Sequence, residues 1–463
     1  MRTLITNGHV VTAIDDYMGD ILIDGEQIVA LGGPGAFAAT QCDTVIDAQG
    51  KYIFPGAIDV HTHMELPLPA TVASDDFETG TIAAACGGTT TILDFANQQR
   101  GHTLSEALQS WHRKADGKAV IDYGFHMTIT DLAAAPEEAM DEMIEAGVTT
   151  FKLLMAYPGT FMVDDETIYR VLRRSARLGG LVMVHAENGI AIDFIVREAV
   201  AAGHTAPLYH AMTRPAMLEG EATQRAITLA ALTEAPLYVV HVSCAPSLHA
   251  VAAARVKGLP VWGETCPQYL YLDDSCYIRP GFEGARFVCT PPMRSDADRE
   301  ALWLGLEHRE LQVVSTDHAP FNFKGQKEMG LHDFTKIPNG LPGVEHRVML
   351  MYDAVRTGKL DIHHFVDLVS TMPAKLFGLF PRKGTLAPGS DADLLILDPE
   401  RTMTISATNQ HQRVDYTPYE GMPVQGVPDT VLLRGRVIVR DGEYGGGKGG
   451  GQFLARKTFV EPE

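Results

Sequence analysis

The chain has 463 residues, of which 45% are hydrophobic and 21% are charged, a composition typical of a soluble globular protein. Lys and Arg number 38 against 58 Asp and Glu, so the net charge of −20 at pH 7 disfavours binding to nucleic acid and to anionic membrane surfaces. No apolar run is long enough to span a bilayer, and the N-terminus breaks at a turn pair before a signal-peptide core, so we expect a cytoplasmic protein.

Residues 1–54 have the pattern of short strands separated by turns. The dipeptides Asn7-Gly8 and Asp24-Gly25 are hairpin signals between runs rich in β-branched residues, at 4–6, 9–12 and 20–23. Residues 384–440 have the same pattern, with apolar runs at 393–397, 430–433 and 436–439. We therefore expect residues 1–54 and 384–440 to form one small β-sandwich domain, followed by a C-terminal tail at 441–463.

Residues 55–383 form the centre of the chain and alternate between β-branched runs and helical stretches. The eight strand candidates lie at 57–60, 89–93, 123–128, 149–154, 181–184, 237–240, 260–263 and 312–315. This order predicts an α/β fold, a (β/α)8 TIM-like barrel. The alternative is an open doubly wound sheet, which would carry a glycine-rich phosphate turn after an early strand, and none is present.

Polar side chains stand where four of these strands end, the edge at which a barrel builds its active site. The first strand ends in His61-Thr62-His63, and because side chains alternate along a strand, both imidazoles point to one side. His185, His241 and Asp317 end the fifth, sixth and eighth strands. One divalent ion needs about three protein ligands and a water, so five candidates favour two ions.

Lys152 lies in an apolar strand that should not tolerate a buried ammonium. One interpretation is that its side chain extends from the strand end to solvent. The other is that it faces the metal site, where two dications would repel the ammonium and lower its pKa toward the neutral amine.

Four segments together identify a family resemblance that extends almost end to end. Residues 55–63 (PGAIDVHTH), 315–327 (STDHAPFNFKGQK), 337–340 (IPNG) and 384–394 (GTLAPGSDADL) resemble motifs of the dihydropyrimidinase/hydantoinase family of cyclic amidohydrolases. The resemblance implies two Zn²⁺ ions, one held by His61, His63 and Asp317 and the other by His185 and His241. It also implies that Lys152 is N6-carboxylated and bridges both ions.

The resemblance further implies roles for residues around the metals. Tyr157 would donate a hydrogen bond to the developing oxyanion, and Thr290 and Asn339 would bind the ring amide through backbone groups. Asp317 would carry the proton to the leaving nitrogen. The expected reaction opens the cyclic amide of dihydropyrimidines or 5-substituted hydantoins to N-carbamoyl amino acids, by attack of a metal-bridging hydroxide.

Two enzymatic alternatives use the same centre. Dihydroorotase acts on an anionic ring, which we expect Met64 and Glu65 after the histidine pair to disfavour. Allantoinase acts on a polar ring, whereas Leu66 and Leu68 indicate an apolar wall for a ring substituent.

The third alternative is a non-catalytic binding protein, because the collapsin response mediator proteins resemble this family but lack the metal ligands. The family resemblance also implies a homotetramer, or a homodimer, with Phe453 and Leu454 of the tail as a candidate contact with a neighbouring chain.

Overall fold

The structure, a computed structural model, describes residues 1–134 and 137–462. Its strands β1 to β19 are, in chain order, Arg2–Val11, Asp16–Asp24, Gln27–Gly32, Thr44–Asp47, Tyr52–Pro55, Ala57–Thr62, Pro67–Leu68, Thr71–Val72, Thr89–Asn97, Asp122–Thr128, Thr150–Leu154, Leu181–His185, Leu237–Val239, Val261–Thr265, Val313–Val314, Leu394–Thr404, Pro423–Leu433, Arg436–Arg440 and Glu443–Tyr444.

The α-helices alternate with the central strands. Helices α1 to α13 are Phe77–Cys86, Leu104–Ala115, Ala139–Glu145, Asp165–Leu178, Gly189–Ala201, Leu208–Met212, Ala216–Thr233, Ala245–Val256, Pro267–Tyr271, Asp296–Glu307, Arg347–Arg356, Ile362–Val366 and Met372–Leu376. Several begin at side-chain caps that the sequence supplies: Asp76 and Thr103 each form a capping box at the start of α1 and α2. Within the described ranges, no helix is long and apolar enough to cross a membrane.

Eight strands form one parallel barrel sheet in the order β6-β9-β10-β11-β12-β13-β14-β15. The ends of this sheet meet, because Thr62 pairs with His318 and the backbone N–H of His63 donates to the His318 carbonyl at 2.9 Å. Inside the barrel, Leu93 and Phe95 of β9 belong to one apolar cluster, whereas Ile92 belongs to the cluster that includes the surrounding helices. The predicted barrel is confirmed.

Both chain ends contribute to a second sheet, in the order β19-β18-β17-β16-β5-β1-β2-β3, with β4 paired to β1. Most of its pairs are antiparallel, and a separate apolar cluster with Ile5, Ile53 and Leu394 packs on it. The turn predicted at Asp24-Gly25 is confirmed, since it joins β2 to β3. The predicted fold class is therefore confirmed in both of its parts.

The hairpin predicted at Asn7-Gly8 is wrong, because β1 continues through both residues. The pairing of β1 with β2 shifts between Ile5 and Gly8, and Asn7 has a φ of 59°, so the dipeptide makes a bulge inside one strand. Gly8 packs closely there, since a Cβ at this position would lie 2.2 Å from the Cδ1 atom of Ile53, whose side chain would have to move. An asparagine with a positive φ occurs in bulges as well as in turns, so the dipeptide alone does not distinguish the two.

The C-terminal tail runs across the N-terminal ends of the barrel strands of its own chain. Leu454 is 1% exposed, its N–H donates to the Tyr123 carbonyl at 2.7 Å, and Phe453 stacks on Phe125 with ring centroids 5.5 Å apart. The side chain of Leu454 is thus buried within its own chain, and the contact of this segment with a neighbouring chain stays a prediction.

Candidate metal centre

The predicted ligands His61, His63 and Asp317 converge at the C-terminal mouth of the barrel. His61 is the penultimate residue of β6, His63 follows it, and their ring centroids are 5.2 Å apart. The Nε2 atoms of both histidines lie 3.1 Å from Oδ1 of Asp317. One ligand atom from each of the three residues lies within 4.8 Å of the others, a spacing suited to a shared metal ion.

His185 and His241 lie next to this group but outside its 4.8 Å limit. The His241 ring centroid is 5.4 Å from that of His61 and 4.5 Å from that of His185. His185 ends β12, and its Nε2 atom lies 2.8 Å from a carboxylate oxygen of Glu187. The four histidine rings therefore form one continuous row across the barrel mouth.

Lys152 lies in the middle of β11 and is 4% exposed, which excludes the interpretation that its side chain extends to solvent. Its ammonium lies 5.0 Å from the centroid of the Phe95 ring, within the barrel interior. Burial lowers the pKa of Lys152 to about 8, although the negative charges of Glu264 and Asp317 act in the opposite direction. At neutral pH, a larger fraction of this amine is therefore uncharged than in a surface lysine.

Three of the predicted site residues have strained backbone conformations. The φ angles of Tyr157, His241 and Asp317 are 64°, 39° and 53°, in the left-handed region that non-glycine residues rarely adopt. Such conformations persist only where surrounding contacts enforce them, and they cluster at functional sites. The strain sets the direction of these side chains where each strand has ended.

Two buried carboxylates that the sequence analysis did not single out orient the ligands. Glu264, in β14, accepts a hydrogen bond from Nδ1 of His61, and its other oxygen accepts from the Tyr238 hydroxyl at 2.9 Å. Asp59 accepts from the backbone N–H and the hydroxyl of Thr316, at 3.2 and 2.6 Å. A partner on the second ring nitrogen of a histidine fixes which nitrogen is free to bind metal. In the sequence, the signal that could have identified both residues is an acidic residue inside an apolar strand.

Tyr157, Thr290 and Asn339 meet on one side of the histidine row. The Tyr157 ring centroid is 5.7 Å from that of His185. Burial raises the pKa of Tyr157 to about 12, although its hydrogen bonds with Thr290 and Asn339 act in the opposite direction. The hydroxyl is therefore protonated at neutral pH and able to donate. The structure brings these three residues together, and their roles stay predictions.

The loop after β6 departs in part from its sequence interpretation. Leu66 and Leu68 pack against an apolar cluster that includes Phe321, consistent with an apolar wall. Met64, however, is 0% exposed, and the Glu65 carboxylate pairs with Lys118 at 3.3 Å. The repulsion of anionic substrates expected from this loop stays a prediction, and the pairing with Lys118 reduces the charge that Glu65 would contribute to it.

The donor set fits divalent metal ions. Imidazole nitrogen and carboxylate oxygen are the ligands that zinc and similar cations accept in proteins. The Nδ1 atom of His241 is buried and has no hydrogen-bond partner within the residues that the structure describes. Buried polar atoms without partners are rare in proteins, and a metal ion is one group that satisfies them.

Comparison with known proteins agrees with this fold. Residues 52–438 match the model of the amidohydrolase family, so the chain belongs to that family, which implies a divalent metal centre. A D-hydantoinase of Streptomyces coelicolor is 51% identical over 459 residues, covering 99% of this chain and 98% of the relative. A D-hydantoinase of Geobacillus stearothermophilus is 51% identical over 461 residues, covering 99% and 97%. The crystal structure of a dihydropyrimidinase from Brevibacillus agri superposes with a TM-score of 0.97 at 50% identity and covers 100% of both chains.

Proposed function

We propose that this protein is a cyclic amidohydrolase that opens the ring of 5-substituted hydantoins and of dihydropyrimidines to give N-carbamoyl amino acids. The observation that carries the proposal is the convergence of His61 and His63 on one oxygen of Asp317, at 3.1 Å each, in the mouth of a barrel. Relatives named D-hydantoinase at 51% identity over nearly the whole chain support the substrate class.

The chain's own residues divide the chemistry among them. When bound, divalent cations supply hydroxide at neutral pH and polarise the amide carbonyl. Thr290 and Asn339 bind the ring amide through backbone groups and orient its carbonyl. The Tyr157 hydroxyl donates a hydrogen bond to the oxygen that becomes negative when the tetrahedral intermediate forms. Asp317 accepts the proton of the attacking water and delivers it to the ring nitrogen as the C–N bond breaks.

The proposal extends to the metal ions and to Lys152. Two Zn²⁺ ions would be held by His61, His63 and Asp317 and by His185 and His241. The neutral amine of Lys152 would add carbon dioxide with loss of a proton, and the resulting carbamate would offer one oxygen to each ion. The burial of Lys152 beside His63, His241 and Asp317 supports this assignment.

The chain would be organised in three parts. The catalytic domain is residues 55–383, the small β domain is residues 1–54 with 384–440, and residues 441–463 form the tail. We further propose a cytoplasmic homotetramer, or homodimer, as expected from the sequence.

A panel of four rings tests the reaction class. The zinc-loaded protein is incubated with dihydrouracil, 5-phenylhydantoin, dihydroorotate and allantoin, and ring opening is followed together with bound metal. Turnover of either of the first two, lost in His61→Asn and retained in the exposed control His249→Asn, supports the proposal. Turnover of dihydroorotate or allantoin alone identifies a different amidohydrolase. Bound metal with all four rings intact contradicts the substrate class, and neither metal nor turnover indicates a non-catalytic binding protein.

A further inference from the structure

Lys327 is a fully buried lysine outside the metal site, and its ammonium contacts only backbone oxygens in the hydrogen bonds that the structure contains. The side chain is 0% exposed and lies at the start of a short 3-10 helix, Lys327–Gly330. Its Nζ atom donates to the carbonyl oxygens of Val288, Pro338 and Gly340, at 2.7, 2.8 and 2.8 Å. The three N–H groups of an ammonium are thus matched by three acceptors.

These three carbonyls belong to the two segments that hold the proposed substrate-binding residues. Val288 stands two residues before Thr290, while Pro338 and Gly340 are the neighbours of Asn339 on either side. The segments also contact each other directly, since the Gly340 N–H donates to the Val288 carbonyl at 3.1 Å. One ammonium is therefore anchored to both sides of the proposed ring-amide site.

Further contacts restrict the position of each of these two segments. Gly340 has a φ of 146°, and a Cβ there would lie 2.3 Å from the Ala319 carbonyl oxygen, so its close approach to the strand-eight loop is specific. On the other segment, Nε2 of His210 lies 2.8 Å from the Cys289 carbonyl oxygen and 3.4 Å from the Thr290 hydroxyl.

The charge of Lys327 is unusual for a residue that only fills space. Among the described residues, no carboxylate forms an ion pair with it, and burial lowers its pKa to about 7. An unpaired charge away from water is unfavourable, so an apolar side chain would stabilise the fold better if filling were the only requirement. A group with three diverging N–H donors can instead hold three carbonyls at set positions.

We propose that Lys327 is a positioning residue that sets the distance between Thr290 and Asn339, and thereby the fit of the ring amide of the substrate. This inference rests on the proposed function, because it needs those two residues to bind the ring. Loss of the ammonium should therefore weaken substrate binding more than it slows the chemical step, and it should leave the metal centre intact.

Steady-state kinetics of Lys327→Ala with the ring that the wild type opens best test the inference. We expect KM to rise about tenfold or more, as for the loss of charged hydrogen bonds, with a smaller change in kcat and unchanged bound metal. Ethylammonium, which restores the donors, should lower KM, whereas tetramethylammonium, which has the charge without N–H groups, should not. The matched control is Lys324→Met, which removes an exposed lysine from the same segment and should leave KM unchanged.

The outcomes separate this inference from the proposed function. If the wild type opens none of the rings, the proposed function fails. The positioning role is wrong if the wild type is active while Lys327→Ala folds, binds metal and has an unchanged KM. It is also wrong if tetramethylammonium restores the KM of Lys327→Ala as well as ethylammonium does. Should Lys327→Ala not fold, Lys327→Gln is measured instead, and its two amide donors should give a KM above that of the wild type; an unchanged KM overturns the proposal.

Discussion

Replacing Tyr157 by Phe removes one hydroxyl and keeps the ring, which contacts His185 and Phe161 at centroid distances of 5.7 and 6.3 Å. Because burial raises the pKa of Tyr157 to about 12, the hydroxyl keeps its proton at neutral pH and can donate it in a hydrogen bond. Loss of a single donor to a developing oxyanion costs about 2.7–4 kcal/mol, or about 10²–10³ in kcat. We expect a loss near 10², since bound cations would share the oxyanion charge.

The assay measures N-carbamoyl amino acid formation at saturating substrate by chromatography, with bound metal determined on the same samples. The control variant is Tyr169→Phe, which removes the hydroxyl of a half-buried tyrosine on α4. We expect that control to keep the kcat of the wild type. A kcat for Tyr157→Phe within threefold of the wild type, with metal bound, would refute the assignment of Tyr157 as the oxyanion donor.

Two further predictions concern stability. Asp122 accepts hydrogen bonds from the buried ammonium of Lys383 at 2.6 Å and from Arg434, and in the variant Lys383 keeps Asp391 and Asp393 as partners. Asp122→Asn should therefore lower the free energy of unfolding by about 2 kcal/mol in urea denaturation, as for lost hydrogen bonds between charged groups; a loss under about 0.5 kcal/mol would contradict this. Hydrogen bonds with Cys86 and Glu345 raise the pKa of His411 to about 10. Since the folded pKa exceeds the unfolded value of about 6.5, this stabilisation is complete below pH 6.5 and is lost toward pH 10. The difference in melting temperature between the wild type and His411→Asn should shrink over that range. A difference that grows would contradict a stabilising ion pair between His411 and Glu345.

The barrel was predictable because β-branched, largely apolar runs alternate with helical stretches, and four of these runs end in polar residues. Val60 and Val184, for example, precede His61 and His185 directly, so the sequence marks where each strand meets the active-site edge. Local pattern was insufficient at Asn7-Gly8, a dipeptide typical of turns that here forms a bulge inside β1 and packs closely on Ile53.

The candidate site also has a part that could be predicted from the sequence and a part that could not. His61 and His63 are two residues apart on one strand, so their proximity follows from the strand period alone. The hydrogen bond from His61 to Glu264, and those from Lys327 to Val288, Pro338 and Gly340, join positions far apart in the chain or in separate loops. Residue type can mark Glu264 as an acidic residue inside an apolar strand, but only the folded arrangement reveals which residue it contacts.

The path of the C-terminal tail could not be predicted from local sequence. A glycine-rich stretch at 445–451 suggested a flexible end whose apolar residues would reach a neighbour. In the structure the backbone after this stretch bonds to its own barrel domain, from Leu454 to Tyr123 of β10 and from Phe459 to Gly179 at the end of α4. The glycines allow close approach, since a Cβ at Gly451 would lie 1.9 Å from the Ile121 carbonyl oxygen.

The most direct test of the account compares the wild type with Lys152→Ala for bound zinc and for turnover of 5-phenylhydantoin. A bridging carbamate predicts two zinc ions per chain and turnover in the wild type. The variant should bind fewer ions and lose turnover, and a short carboxylic acid such as propionate should restore part of it by replacing the carbamate oxygens. A Lys152→Ala variant that keeps two zinc ions and the full rate would contradict the bridged metal centre.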